Sequence, residues 1–540
     1  MFVNVSRYKT YTRVRILRYT ATSTGARKTT LVEHVGSARS DTELAVLRAK
    51  AEQRIAELRP QLSLLAGIDD AEQAARSNAS RLSLCGSFAS GLWRVMGSIY
   101  DQLGLPTDGL LKPLVLARIA LPKSKLATVR YLASNLNIAT SVSVIYRYMD
   151  TLDKDKLMAK LLAYAQQRAL ARSNGASAIS VVFYDVTTLY FETDEEDEDA
   201  EAAVGLRKKG YSKDHRFDLP QVVVGLTVDN FGFPLDFQVY EGNTYEGHTL
   251  LSGVQKMRSK LKLTATNLTV VADAGMLSKA NLDELEGQGY SYIVGARIRS
   301  LSAEAAEQIL TWDYANQGNL DTTIAGRRMV VTYSDKRAKR SKQNRERLVR
   351  KLKAKIDRGD IVKKSKYVVL ETVGNTATTT NKEQATVTTK TKKQTKAPKL
   401  SGRLNTDKLG WDARFDGLKG YVTNTELSAD EVVAHYGNLW NVEKSFRMSK
   451  SDLQARPTFH YKRERVIAHL TLCVCALGVL RAFEEKLKAN LPDVGMSVAI
   501  EQLLQMREYQ LKLPDDTTVP VRTELTIIQE KLQELAGVPY

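Results

Sequence analysis

The chain has 540 residues, room for two to four domains, and its 43% hydrophobic content is that of an ordinary folded protein. Lys and Arg number 79 against 61 acids, a net charge of +18 that points to a polyanionic partner, nucleic acid foremost. Three cysteines (Cys85, Cys473, Cys475) exclude a disulfide framework and a structural zinc site. The longest apolar stretch, Val466 to Leu480, is too short to span a bilayer, and the N-terminus carries no signal pattern, so a cytoplasmic protein without a membrane partner is expected.

Residues 2–35 alternate apolar and polar positions and predict a β-hairpin. Helical periodicity follows over Thr42 to Leu58 and from Ser80 to about Arg172, so residues 1–172 form an N-terminal region. The texture then turns to β-branched and aromatic residues. Strands are predicted at 178–188, Gln221 to Asp229 and Phe233 to Tyr240, with Asn230-Phe231-Gly232 turning between the last two. A helix (Leu250 to Leu261), a strand (Leu268 to Ala272), a helix (Ser278 to Gln288) and a strand (Tyr290 to Gly295) complete the first part of a core, 173–299. A three-stranded meander followed by helix, strand, helix, strand is the order of an RNase H-like α/β core, a mixed sheet with flanking helices.

That pattern stops over 300–424, which predicts a β-rich basic insertion. Residues 336–366 hold 15 Lys or Arg against three acids, and 376–399 hold nine Thr and six Lys. The core resumes over 425–540 with a helix after Ser428, an N-cap with Glu431 at N3, and apolar helices over Glu464 to Ala489 and Val498 to Glu508.

Three acids stand out. Asp185 lies in the first core strand, where a buried carboxylate needs a partner or a metal; a hydrogen bond to Thr187 or Thr188 also fits it. Asp273 ends the strand Val270-Val271-Ala272, the sheet edge where ligand sites form, and also suits a turn or cap. Glu443 sits in a helix over 436–450. At roughly 100° per residue it falls about −20° from Tyr436, with Arg447 at about +20° and Lys450 at about −40°. One face would then present a phenol, a carboxylate and two cations, fit to hold a metal beside phosphates. A salt-bridged surface helix would look the same.

These residues resemble the bacterial insertion-sequence DDE transposases with the Tyr-Arg-Glu-Lys signature: Tyr, two residues, Arg, three residues, Glu, six residues, Lys. Tyr436, Glu443 and Lys450 fall at those spacings, and Leu439 stands at the Arg position. Phe183 to Thr188, Lys209 to His215 with Pro220 to Leu226, Glu241 to Thr244, and Val271 to Met276 are similar to the family's other blocks, in order. The resemblance implies an enzyme that cleaves DNA at element ends and transfers the 3′-OH into target DNA. Two Mg2+ ions (Mn2+ substituting) would be held by Asp185, Asp273 and Glu443, with Asp185 bridging, while Tyr436, Arg447 and Lys450 contact DNA. The implied partners are double-stranded DNA, as terminal inverted repeats and target, and a second copy in a homodimeric synaptic complex. Trp312 is a candidate to clamp flipped DNA, or a core residue. His215, His248 and the acidic run over 192–201, eight acids in ten residues, receive no catalytic role. A derived DNA-binding protein without cleavage activity and an RNase H-like host nuclease are the alternatives.

Overall fold

The computed structural model describes residues 1–21, 27–58, 82–174, 179–198, 205–213, 216–261, 268–276, 278–358, 365–372, 400–456, 460–513 and 515–537. His215 and the Thr- and Lys-rich stretch 376–399 lie outside the described residues. The chain divides into two compact units, 1–87 with 508–523, and 88–507 with 524–540.

In the smaller unit the expected hairpin is a three-stranded antiparallel sheet, β1 (Phe2–Arg7), β2 (Thr12–Ala21) and β3 (Arg27–Ala38). Helix α1 (Asp41–Leu58) covers it, closing a small core of Val14, Ile16, Ala51 and Ile55. Helical periodicity misreads the next segment: β4 (Ser83–Phe88) joins strands Glu508–Lys512 and Thr518–Arg522 from the far end of the chain. Of the expected helix Val498 to Glu508, only the last residue is strand; the helix itself runs Met496–Gln505.

The larger unit opens with helices α2 (Gly97–Gln102), α3 (Leu111–Ala120), α4 (Lys125–Leu136), α5 (Val142–Asp150) and α6 (Lys154–Arg172). Its centre is an eight-stranded mixed sheet. Strands β5 (Val181–Tyr190), β6 (Gln221–Val228) and β7 (Pro234–Glu241) form the antiparallel meander. Helix α7 (Thr249–Leu261) leads to β8 (Thr269–Ala272), and α8 (Lys279–Gly287) to β9 (Ser291–Ala296); β8 runs parallel to both β5 and β9. The Val222-Val223-Val224 run is buried throughout because both faces of this sheet are covered.

The sheet does not stop at residue 299. After helix α9 (Ala303–Leu310), strands β10 (Leu320–Ile324) and β11 (Arg327–Tyr333) extend it antiparallel, joined to β9 through β14 (Leu418–Thr423). The excursion is confined to the segment between β11 and β14, which holds the basic helix α10 (Asp335–Asp357), the pair β12 (Val368–Thr372) and β13 (Leu400–Leu404), and α11 (Thr406–Arg414).

Helices α12 (Ala429–Gly437) and α13 (Trp440–Arg447) follow, then the long α14 (Arg463–Asn490), α15 (Met496–Gln505) and α16 (Ile527–Ala536). Helix α14 is apolar all round because it is packed all round, against α3, α5, α6 and β7. It is long and apolar enough to cross a membrane, contrary to the expectation from Val466 to Leu480, but 94% of its most apolar window is buried inside the fold. Each fully buried Leu, Val or Phe along it stabilises the unit by roughly 1.5–3 kcal/mol. Cys473 and Cys475 are among these core residues, and neither is in a disulfide.

Candidate active site

The sheet register brings the two aspartates together. Strands β5 and β8 are parallel, and their last pair is Tyr184 with Ala272, so the next residues, Asp185 and Asp273, are neighbours where β8 ends. Side chains alternate along a strand. Tyr184 points to the opposite face, where its hydroxyl donates to Thr249 O (3.2 Å).

The Asp185 side chain is 19% exposed. Burial pushes its carboxyl up to about 6, with Asp273 and Glu246 adding like-charge repulsion; Lys213 and the Val186 backbone N–H offset part of this. Lys213 is the tether here. Its Nζ lies 4.0 Å from Asp185 Oδ1 and 2.9 Å from Glu246 Oε1, and donates to Val186 O (2.6 Å). Thr188, expected as a partner of Asp185, instead accepts the Lys213 backbone N–H through Oγ1 (3.1 Å).

Asp273 is exposed and accepts on Oδ1 from the Ala274 backbone N–H (2.7 Å) and from Tyr436 Oη (3.0 Å). The phenol reaches in over Gly295 of β9, where a Cβ would lie 2.5 Å from Oη. Burial raises the Tyr436 hydroxyl well above its ordinary value, and Asp273 and Glu443 raise it further, so it stays a proton donor. Lys419 of β14 places its ammonium 4.3 Å from the Tyr436 ring centroid. Burial and the neighbouring charge of Arg337 lower Lys419, while the charges of Asp273 and Glu443 act to raise it, so this cation lies within electrostatic reach of both acids.

The helix bearing Glu443 is not the continuous one expected. A run of i→i+3 bonds tightens the backbone between α12 and α13: Asn438 N–H to His435 O, Leu439 to Tyr436, Asn441 to Asn438 and Val442 to Leu439. Beyond Arg447 the backbone loosens into a π-helical turn, Met448–Asp452, which carries Lys450. The single face proposed for Tyr436, Glu443, Arg447 and Lys450 is therefore redistributed. Glu443 and Arg447 are exposed on α13, whereas Lys450 is half-buried and lines a small cavity with Thr187, Leu189 and Phe446. Leu439 is buried, so this position faces the core rather than solvent.

The opposite face of α13 is bolted to the β6–β7 turn. Asn441 Nδ2 donates to Asn230 O (2.8 Å) and Ser445 Oγ to Gly232 O (2.7 Å). Arg481 of α14, 4% exposed, donates from Nε to Gly232 O (3.1 Å), from Nη1 to Glu484 Oε2 (2.6 Å) and from Nη2 to Phe231 O. Lys444 pairs with the same Glu484. These bonds fix the helix from which Glu443 projects.

The donor chemistry fits a hard divalent cation: oxygen ligands only, with Asp185 already burdened by two neighbouring acids. Among the described residues no group of three or more acid, His or Cys side chains converges as a closed metal cage. Asp185 and Asp273 meet at the strand ends, while Glu443 is exposed on α13 and its charge is felt by Tyr436 and Lys419. Sequence reading missed Lys213, Glu246 and Lys419. The first two lie in or beside blocks already singled out, but nothing in local spacing marks Lys419. Trp312 is partly buried against the core and donates from Nε1 to Gly318 O (3.3 Å); His248 packs edge-on against Tyr245 (5.4 Å). The acidic run is anchored through Asp197, whose Oδ1 accepts from Arg207 Nε (2.7 Å).

Among solved structures, a piggyBac transposase synaptic complex with hairpin DNA is similar at 7% identity, over 83% of this chain and 77% of that one, with a TM-score of 0.35. A pre-cleavage Mos1 transpososome (11% identity, 32% of this chain, 54% of that one, TM-score 0.15) and a Mos1 paired-end complex with left transposon end (13%, 32%, 53%, 0.15) also match. The chain thus spans about half of those Mos1 chains, and all these likenesses are loose. No curated protein sequence matches. The family model described as "Transposase DDE domain" matches residues 176–479, from the segment before β5 into α14. That is more than half of the 540 residues, and the chain belongs to the DDE transposase family.

Proposed function

We propose that this enzyme cleaves DNA at the ends of a mobile element and joins the resulting 3′-OH to target DNA, working from an RNase H-like core. The observation that carries this reading is the β5–β8 register, which sets Asp185 beside Asp273 while Tyr436 grips the latter. Asp185, Asp273 and Glu443 would hold divalent cations, Mg2+ first and Mn2+ as a substitute. When bound, these ions acidify the attacking oxygen and stabilise the leaving oxygen of an in-line displacement.

The chain's own residues do the rest. Tyr436 fixes the orientation of Asp273, and Lys213 holds Asp185 and Glu246 in place before DNA arrives. Lys419 supplies a cation beside the site, a role the buried Leu439 cannot fill. Arg447 and Lys450 would contact phosphates. The exposed cations of α10 would neutralise the DNA backbone, with the salt dependence that such contacts bring. The DNA partners are the terminal inverted repeats and the target, bound by a homodimer in the cytoplasm.

Leu439 and the open acid cage favour one second reading, a family member that binds DNA ends without cutting them. The deciding experiment incubates the purified chain with DNA bearing the repeats that flank its coding sequence, in Mg2+ and in Mn2+. Cleaved 3′-OH ends and joined products are expected. Tight binding with no cleavage in either metal selects the second reading, and absence of flanking repeats selects a host nuclease.

A further inference from the structure

A separate cavity of about 450 Å3 lies among the helices of the larger unit, between α3, α4, α5 and the segment leading into α14. Arg118, Lys125, Arg456, His460 and His469 line it, and no acid is among its lining residues. Arg118 and Lys125 are each only 8% exposed, and neither has a hydrogen bond or ion pair within the described residues. Two buried cations without a partner are costly to the fold unless an anion joins them. Burial and the neighbouring Arg118 bring Lys125 down to about 7, which reports the same deficit of negative charge.

The rest of the lining is built for hydrogen bonding. His460 and His469 are 7% and 4% exposed, with ring centroids 5.0 Å apart. Burial lowers both, His460 to about 3, so the rings are neutral and each carries one N–H. Among the described residues His469 Nδ1 is buried without a hydrogen-bond partner, and Nε2 lies 3.8 Å from Cys473 Sγ. Helix α4 starts at this wall. Ser124 Oγ accepts the Ala127 N–H (3.3 Å), and the dipole of the 12-residue helix adds positive potential. Arg456 also lies over the ring of Tyr190, at 5.7 Å, on the same strand as Asp185.

We propose that this cavity binds a phosphate group, with Arg118 and Lys125 supplying the charge and the His460 and His469 imidazoles hydrogen-bonding its oxygens. The volume accommodates a phosphate together with part of what bears it. The occupant is a DNA backbone phosphate or a free phosphate. The chemistry is the same for both, and it does not depend on the catalytic assignment.

The test compares the full chain with Lys125→Met and Arg118→Gln. Thermal unfolding is followed with inorganic phosphate replacing chloride at constant ionic strength, and affinity for duplex DNA is measured across a salt series. Phosphate should raise the wild-type Tm by several degrees (~3–5 °C), because a ligand of the folded state stabilises it. Lys125→Met should match or exceed the wild-type Tm without phosphate, since it removes a buried charge, and its phosphate response should weaken at least tenfold. With DNA as the source, Lys125→Met also weakens DNA binding and lowers the log–log salt slope by about 0.9. With free phosphate as the source, DNA affinity is unchanged and only the phosphate response disappears. Either pattern supports the site. Variants that match the wild type in both phosphate response and DNA affinity overturn it, and Arg118→Gln decides the matter should Lys125→Met fail to fold.

Discussion

Tyr436 Oη donates to Asp273 Oδ1 at 3.0 Å, joining the helix before Glu443 to the end of β8 across 163 positions of sequence. The bond holds one oxygen of a proposed metal ligand in a fixed direction. Tyr436→Phe should therefore change stability by only about 1 kcal/mol, the usual net worth of one hydrogen bond. Metal-dependent cleavage should fall about tenfold, equivalent to roughly 1.4 kcal/mol less transition-state stabilisation. Gly295→Ala, which crowds the phenol, should lower cleavage as far or further and destabilise the fold by about 1–3 kcal/mol. Single-turnover cleavage beside urea unfolding separates the two effects.

Asp185 gives the metal-free protein a distinctive pH dependence. Its carboxyl titrates near 6 in the fold, against an ordinary value of 3.8. The fold thus prefers the protonated form. Its advantage is complete below about pH 4 and is lost as pH rises through about 6, above which the buried carboxylate is a net cost. At about 1.4 kcal/mol per pH unit the gap is worth up to about 3 kcal/mol. Asp185→Asn should therefore be more stable than wild type at pH 8 without metal, and the difference should shrink towards pH 4. Added divalent cations should stabilise the wild type at pH 8 and leave the variant nearly unmoved. Thermal unfolding across pH, with and without EDTA, measures both.

Arg481 is the anchor behind Glu443. Arg481→Met would leave Glu484 with less compensation in a buried setting and strip donors from the carbonyls of Phe231 and Gly232. A loss of about 3–5 kcal/mol is expected, the usual result of breaking a buried pair from one side. Gly232 itself holds φ at 76°, and a Cβ there would collide with the Arg481 guanidinium, so Gly232→Ala should also destabilise. Urea unfolding midpoints test both substitutions.

The exposed cations of α10 should act through the DNA backbone. Arg345 pairs with Asp416, but Lys339, Lys342 and Arg350 are open to solvent. Replacing those three with Gln should weaken DNA binding without changing the fold. The slope of log affinity against log salt should drop by up to about 2.7, about 0.9 for each phosphate no longer neutralised. An unchanged slope would remove α10 from the DNA path.

Much of the sheet is legible in the sequence because its middle strands are buried on both faces. The runs around Asp185, Val223 and Val271 carry β-branched side chains that fit nothing else as well. Strand β10 has the converse pattern, with Asp321 to Thr323 between two buried ends, while the buried run Met329 to Thr332 of β11 is flanked by Arg327 and Arg328 and merges with the basic stretch after it. Strand β4 pairs with residues more than 400 positions away, a partnership that no local periodicity encodes. Spacing singles out Tyr436 and Glu443. It does not mark the tightened turn at Asn438 or the π-helical turn at Lys450, because a helical wheel assumes constant winding. Lys419 and Lys213 act through contacts between distant elements, and a lone lysine in a basic chain has no signature.

The central claim is that Asp185, Asp273 and Glu443 form one catalytic unit. The most direct measurement is single-turnover cleavage of end-sequence DNA in Mg2+ by Asp185→Asn, Asp273→Asn and Glu443→Gln, with DNA affinity and folding measured on the same preparations. Each substitution should reduce cleavage by about three orders of magnitude or more, equivalent to roughly 4 kcal/mol, while end-DNA binding stays near that of the wild type. Wild-type cleavage by a folded Asp185→Asn protein would contradict the account outright.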